Sequence, residues 1–303
     1  MKKLMCVVLA LILLIFSGCA GNTPENPKDK ITVATSFYPL YIFTLNLLDG
    51  IEELNVKCMA EQSVGCLHDY TLTAKDAKLL SDAQVLVING AGMESFLEDA
   101  TKSIGSFKVI DSSESIDLIC EEEHHHEEND NHHHHENSHI WLSLRNAKVQ
   151  VKNIKNGLVK EFPEYEKQIE KNYSDYIKRL NSLEDERKSV LLETKDMKSI
   201  SFHGAFEYLA QDLGFEICHT IESDEGYEPS AKELAGLSSE IEKEKIKALF
   251  VAPDYSGSAA EILGRETNTE IYVINPIISG EEKLTAYEDA MKINYKIILE
   301  AVK

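Results

Sequence analysis

From Ile31 onward the chain alternates short apolar runs with stretches whose apolar positions recur every three or four residues. Runs at 31–36 and 84–89 suit strands buried on both faces, and weaker strands are expected at 54–59 and 107–111. Between them the spacing predicts helices at 40–48, 74–81 and 94–103. Strand and helix in alternation imply a mainly parallel sheet covered by helices. The same grammar returns with strands at 199–202, 216–221, 248–252 and 271–274, and helices at 205–213, 231–243, 259–267 and 282–302. The expected fold class is α/β, with two lobes, each a mainly parallel sheet flanked by helices.

Between the lobes, residues 143–192 have no strand character and are interrupted at Phe162-Pro163. Beyond the proline, Tyr165, Ile169, Tyr173, Tyr176, Leu180, Leu183 and Val190 recur at steps of three and four, with Arg187 filling the missing position. The result is one apolar stripe on a long helix. At 1.5 Å per residue a helix over 163–192 would be about 45 Å long, enough to run the height of both lobes. A coiled-coil dimer seam has similar spacing, but tyrosines in the stripe favour packing within one chain, and a monomer is expected. The 303 residues, 43% of them hydrophobic, divide naturally into two units of roughly 130 residues. The predicted organisation is an N-terminal lobe over 31–162, a linking helix over 163–193 and a C-terminal lobe over 194–303.

The segment ahead of Ile31 follows a different logic. Lys2 and Lys3 precede an apolar run from Leu4 to Phe16, and Ser17-Gly18-Cys19 follows. The run is shorter than the roughly 20 residues a membrane span needs and suits a signal-peptide core. It resembles a bacterial lipoprotein signal, cut just before a cysteine that is then diacylated. The resemblance implies a signal peptide over 1–18, a lipidated Cys19, and anchorage on the extracytoplasmic face of the cell membrane. Residues 19–30 then form a tether, rich in Gly, Asn, Pro and charge without periodicity. Export permits disulfides, and Cys58 and Cys66 are the nearest pair among Cys58, Cys66, Cys120 and Cys218, although spacing does not determine pairing.

A formal charge of -21 argues against nucleic acid as a partner, because phosphates need a basic face, and it is compatible with a cation. The histidines sharpen this. His124, His125, His126, His132, His133, His134 and His135 stand among acidic residues in a tract over 121–138. Side chains that all want water, a proton or a metal cannot build a packed core, so the tract reads as a metal-collecting loop. His139 differs in kind, since it stands beside Ile140-Trp141 and just ahead of a helix start at Ser143, a context that fixes a side chain. His68 follows Val64-Gly65-Cys66-Leu67 ahead of a helix, and His203 ends a strand in Phe202-His203-Gly204-Ala205-Phe206. Each alone reads more readily as a hydrogen-bonded structural residue. Placed jointly at the carboxyl ends of parallel strands, where ligands collect, the three could converge on one metal. His219 reads as a structural mid-strand residue and 222–228 as a solvated acidic turn, while Asn89-Gly90-Ala91-Gly92 lacks the spacing of a nucleotide fingerprint.

These residues resemble the zinc- and manganese-binding solute-binding lipoproteins of bacterial ABC importers, the cluster A-I family. The resemblance runs from Ile31 onward and rests on Cys66-Leu67-His68-Asp69-Tyr70, Asn89-Gly90-Ala91-Gly92-Met93-Glu94, the acidic His-rich loop, His139-Ile140-Trp141 and His203-Gly204-Ala205-Phe206. It implies a cleft between lobes joined by a rigid helix, with His68, His139 and His203 as ligands, and a histidine at the third site is similar to the zinc-binding branch. It further implies Zn²⁺ as the transported ligand ahead of Mn²⁺, and an ABC permease as partner. The family commonly supplies a fourth ligand, Asp or Glu, after its last strand, where this chain aligns Asn275. An amide oxygen is a poor zinc ligand, so water, Asn275, a nearby carboxylate or Cys66 remain open for that position. Leu67 and Ser143-Leu144 also stand where the family often has proline.

Three functions compete: a tethered receptor that performs no chemistry, a zinc-dependent hydrolase, and a surface zinc store or adhesin. Three histidines with an open position can activate water, but no His-Glu-x-x-His lies on an expected helix, His135-Glu136-Asn137-Ser138-His139 falling at the end of the His-rich loop, and no general base is assigned. A receptor accounts for the tether and the His-rich loop together.

Overall fold

The computed structural model describes residues 30–60, 70–97, 107–120, 136–221 and 229–303. The strands β1 (Ile31–Phe37), β2 (Leu54–Ala60), β3 (Ala83–Ile88) and β4 (Lys108–Asp111) form a parallel sheet in the order β2-β1-β3-β4. Val33, Ala34, Val85, Leu86 and Val87 of its two central strands are buried, as strands covered on both faces require. Helix α1 (Tyr38–Leu48) follows β1, and α2 (Ala74–Asp82) opens on a capping box in which Thr73 and Asp76 satisfy each other's backbone N–H groups.

Helix α3 (Leu144–Glu161) starts at Ser143, whose hydroxyl accepts from the Asn146 N–H as an N-cap. It ends at Phe162, a single 3₁₀ turn over Pro163–Tyr165 follows, and α4 (Glu166–Thr194) then runs for 29 residues, about 43 Å at 1.5 Å per residue. The second sheet comprises β5 (Lys198–Ser201), β6 (Glu216–Thr220), β7 (Ala248–Val251) and β8 (Glu270–Val273), all parallel, in the order β6-β5-β7-β8. Its helices are α5 (Glu207–Leu213), α6 (Ala231–Glu244), α7 (Ala259–Thr267) and α8 (Ala286–Val302). The expected architecture of two parallel-sheet lobes flanked by helices is thus observed.

Helix α4 packs on α1, α3, α5 and α8. Ile169, Tyr176, Leu180, Leu183 and Val190 of its predicted stripe are buried, whereas Tyr165 and Tyr173 are only half-buried. Three polar residues of the helix tie it to both lobes. Asn172 donates to the carbonyls of Leu47 (3.0 Å) and Asp49 (2.8 Å), satisfying acceptors that the end of α1 leaves open. Arg179 reaches Asn46 on α1 and the Glu288 carboxylate on α8 (2.8 Å). Arg187 holds Glu184 and the carbonyl of Asp212 at the end of α5.

Two sequence expectations are revised. In the stretch expected as a helix over 94–103, the described part is a 3₁₀ turn at Ser95–Leu97, because the Glu94 carboxylate folds back onto Asn89 and Gly90 instead of opening a helix. The last helix begins at Ala286 rather than 282, because the preceding residues are engaged by α1: Tyr38 donates to the Glu281 carbonyl (2.7 Å), Tyr41 to the Glu282 carboxylate (3.1 Å) and Asn46 to the Leu284 carbonyl (2.9 Å). The two lobes share part of their core. One apolar cluster runs from Val33 and Phe37 through Trp141 and Tyr176 to Ile277 and Tyr287.

Candidate metal centre

The site is built on the turn after β3. Gly90 adopts φ 77°, and a Cβ there would run into the Asp111 carboxylate and the Ser113 hydroxyl, so only glycine fits. Glu94 closes the turn: one carboxylate oxygen accepts from the Ser36 hydroxyl (2.6 Å) and the Asn89 N–H (2.7 Å), the other from the Gly90 N–H (3.0 Å). Burial pushes the Glu94 carboxyl up to about 7, against the pull of these three donors. The turn then supports the next layer. The Asn89 amide donates to the Ser138 carbonyl (2.9 Å) and its oxygen accepts from Gln150 on α3 (3.0 Å).

His139 is 4% exposed, directly after Ser138. Its backbone N–H donates to Asn137 Oδ1 at 3.0 Å, and its ring Nδ1 lies 3.0 Å from the same oxygen. Two residues on, Trp141 is buried against Phe37 edge-to-face, with ring centroids 4.8 Å apart. The Trp141 indole donates to the Pro276 carbonyl at 2.8 Å, and that contact attaches the His139 segment to the C-terminal lobe.

His203 lies two residues beyond β5. Its N–H donates to the Ser201 hydroxyl oxygen (3.2 Å), Ser201 donates to the His203 carbonyl (2.6 Å), and ring Nδ1 accepts from the Ala205 N–H (3.2 Å). The rings of His139 and His203, one from each lobe, meet edge-to-face with centroids 5.3 Å apart and planes at 88°. Two of the three sequence-predicted histidines are therefore brought together at the carboxyl ends of the two sheets.

The remaining expected residues divide into two groups. His68, Cys66, Cys19, the acidic turn over 222–228 and all seven tract histidines, from His124 to His135, lie outside the described residues. Asn275 is described: its Oδ1 accepts from the Ile277 N–H (2.7 Å), and its backbone exchanges hydrogen bonds with the Asn294 side chain (2.9 and 2.8 Å). It directly precedes Pro276, the acceptor of the Trp141 indole. Among the described residues no group of three His, Cys, Asp or Glu side chains assembles a metal shell. His219, expected to be structural, pairs its Nε2 with the Glu240 carboxylate of α6 at 2.7 Å.

Sequence reasoning missed Asn137, Glu207 and Tyr208. The sequence places Asn137 in the metal-collecting loop, yet it is buried and reaches across to α5. Burial raises the Glu207 carboxyl, while hydrogen bonds from Asn137 and Thr220 lower it, and burial pushes the Tyr208 phenol up to about 12. An asparagine amid acidic residues carries no sequence signal for such a role.

Two parallel-sheet lobes stapled by one long helix, with an imidazole from each meeting at the carboxyl ends of the sheets, define the class of two-lobed metal-binding solute-binding proteins. The family described as zinc-uptake complex component A, periplasmic (ZnuA), matches residues 33–301, and the chain belongs to this family. It is 32% identical to the high-affinity zinc uptake system protein ZnuA of Bacillus subtilis, over 98% of this chain and 95% of that protein. It is 29% identical to the zinc-binding protein AdcA of Streptococcus pyogenes over 93% of this chain, which spans 58% of that longer protein. Among solved structures, the Zn(II)-bound ZnuA-like domain of Streptococcus pneumoniae AdcA superposes with a TM-score of 0.74 at 26% identity, covering 90% of this chain and 99% of the domain.

Proposed function

We propose that this protein is an extracytoplasmic receptor that captures Zn²⁺ between its lobes and delivers it to the permease of an ABC importer, performing no reaction. His68, His139 and His203 are its ligands, with Asn275 at the fourth position. The observation that carries the reading is the meeting of the His139 and His203 rings from different lobes, 5.3 Å between centroids. Neutral imidazoles suit zinc, and the relatives named for zinc uptake and zinc binding support the same cargo. Residues 1–18 are the signal peptide, Cys19 carries the lipid, 19–30 form the tether, and 163–193 link lobes at 31–162 and 194–303. The seven histidines of the loop over 121–138, from His124 to His135, serve as an auxiliary collector.

Alanine at His68, His139 or His203 should each weaken the tight zinc event in competition with a chelator, and unchanged affinity would remove that residue from the shell. Because ligand histidines must be neutral, binding should also weaken as pH falls through about 6. A receptor separates from a zinc store by deletion of 121–135. Cys120 and Glu136 form an antiparallel bridge, so a two-residue turn can rejoin the chain. The receptor keeps its tight site after the deletion, whereas a store loses most of its binding.

A further inference from the structure

We propose that Asn137 is the positioning residue of this metal site: a single amide sets the His139 ring for coordination through Nε2 and locks the His139 segment to the residues that follow His203. The inference rests on the assignment of His139 as a ligand. Asn137 is 1% exposed, and its polar atoms are engaged throughout. Its N–H donates to the Ile119 carbonyl (2.9 Å) and its carbonyl accepts from the Tyr208 hydroxyl (2.8 Å). Tyr208 in turn accepts from the Ile119 N–H (3.0 Å), so α5 grips both strands at the base of the His-rich loop.

The side chain decides the chemistry. Nδ2 faces two acceptors, the Gly204 carbonyl at 2.8 Å and the Glu207 carboxylate at 3.1 Å, so it must be the donor end of the amide. The other end is then the carbonyl oxygen, which already accepts the His139 backbone N–H. A ring nitrogen 3.0 Å from that oxygen must carry a proton, so His139 holds its proton on Nδ1 and, when neutral, keeps its lone pair on Nε2. Gly204 and Glu207 thus dictate, through one amide, which nitrogen of a histidine on the opposite lobe carries the proton. Outer partners of this kind are worth roughly 10–100-fold in metal affinity.

The test uses the mature chain with Asn137→Ala, the double variant Asn137→Asp with Glu207→Gln, and His139→Ala as reference. Asn137→Asp keeps the acceptor for His139 at the cost of the donor to the Gly204 carbonyl, and Glu207→Gln removes the charge repulsion the new carboxylate meets at Glu207 while supplying it a donor. Zinc affinity is read by chelator competition. The His139 tautomer is read by histidine ¹⁵N NMR at neutral pH before zinc is added. Asn137→Ala should lose roughly 10–100-fold in affinity and populate the Nε2–H tautomer, while the double variant keeps Nδ1–H and stays within about threefold of the parent. If Asn137→Ala does not fold, as read by circular dichroism, the double variant alone decides. An Asn137→Ala protein with parental affinity and an unchanged tautomer overturns the proposal, as does a folded double variant without Nδ1–H on His139. Unchanged affinity in His139→Ala would instead overturn the ligand assignment itself.

Discussion

The Tyr287 hydroxyl donates to the Trp141 carbonyl at 2.8 Å, joining two buried aromatic residues 146 positions apart on different lobes. Together with the bond from the Trp141 indole to Pro276, it fastens the segment that carries His139 to the C-terminal lobe at two points. The lobes also share one apolar core and one long helix. Such a joint resists a wide hinge, because packed interiors do not deform continuously.

Tyr287→Phe should therefore test the joint with little change in shape. The ring can keep its edge-to-face contact with Phe43, at 5.0 Å between centroids, but the buried Trp141 carbonyl loses its donor. Urea unfolding should report a loss of about 1–3 kcal/mol. In the parent protein, small-angle scattering should show little change in radius of gyration on zinc loading. A large fall would mean that the shared core opens and recloses.

His203 and His139 differ in where their ring protons reside. Nδ1 of His203 accepts from the Ala205 N–H, which leaves the proton of a neutral ring on Nε2. Coordination through Nε2 would require that proton to move and the Ala205 bond to be given up, whereas His139 needs no change. Histidine ¹⁵N spectra should show His203 changing tautomer during a zinc titration while His139 keeps Nδ1–H. Finding Nδ1–H on His203 before zinc is added would contradict this ordering.

Glu94 should titrate near neutrality. Burial raises its carboxyl in the fold to about 7 from an ordinary value of 4.5. A raised value means the folded chain binds the proton more tightly than the unfolded one. The stabilisation is then complete below about 4.5 and is lost as pH rises through about 7, a change on the order of 3 kcal/mol. Carboxyl ¹³C NMR of the folded protein is the direct check, and a midpoint near 4 would show that the donors from Ser36, Asn89 and Gly90 outweigh burial.

The legible parts of this sequence are those where local pattern and burial agree. Val33, Ala34 and Val85–Val87 sit in strands covered on both faces, so their runs are continuously apolar and stand out. The stripe on α4 was readable despite Arg187, because its neighbours kept the helical spacing. His139 was readable because Trp141 and the Ser143 cap announced an ordered segment. Asn172 and Asn137 were not. Each is a buried amide whose burial is licensed by carbonyls far along the chain, at Leu47 and Gly204, and hydropathy counts both as surface. The late start of α8 was not readable either, since Tyr38 and Asn46 engage the carbonyls of Glu281 and Leu284 from far along the chain.

Replacement of Asn275 by Asp tests both metal choice and the fourth position. Three neutral imidazoles leave the charge of a divalent ion uncompensated and offer few oxygens, which suits tetrahedral zinc better than manganese, an ion that favours oxygen-rich octahedral shells. A simple preference for zinc is weak support, because intrinsic affinity already places Zn²⁺ above Mn²⁺ at most nitrogen and oxygen sites. The substitution is more decisive. Asn275 Oδ1 accepts the Ile277 N–H at 2.7 Å, and an aspartate carboxylate accepts that bond equally well, so the turn should survive. The new charge adds a hard anionic oxygen one residue ahead of the Pro276 carbonyl that holds Trp141. Manganese affinity should therefore rise by a larger factor than zinc affinity in parallel titrations. If neither changes while the variant unfolds in urea like the parent, Asn275 stands outside the shell and another group completes it.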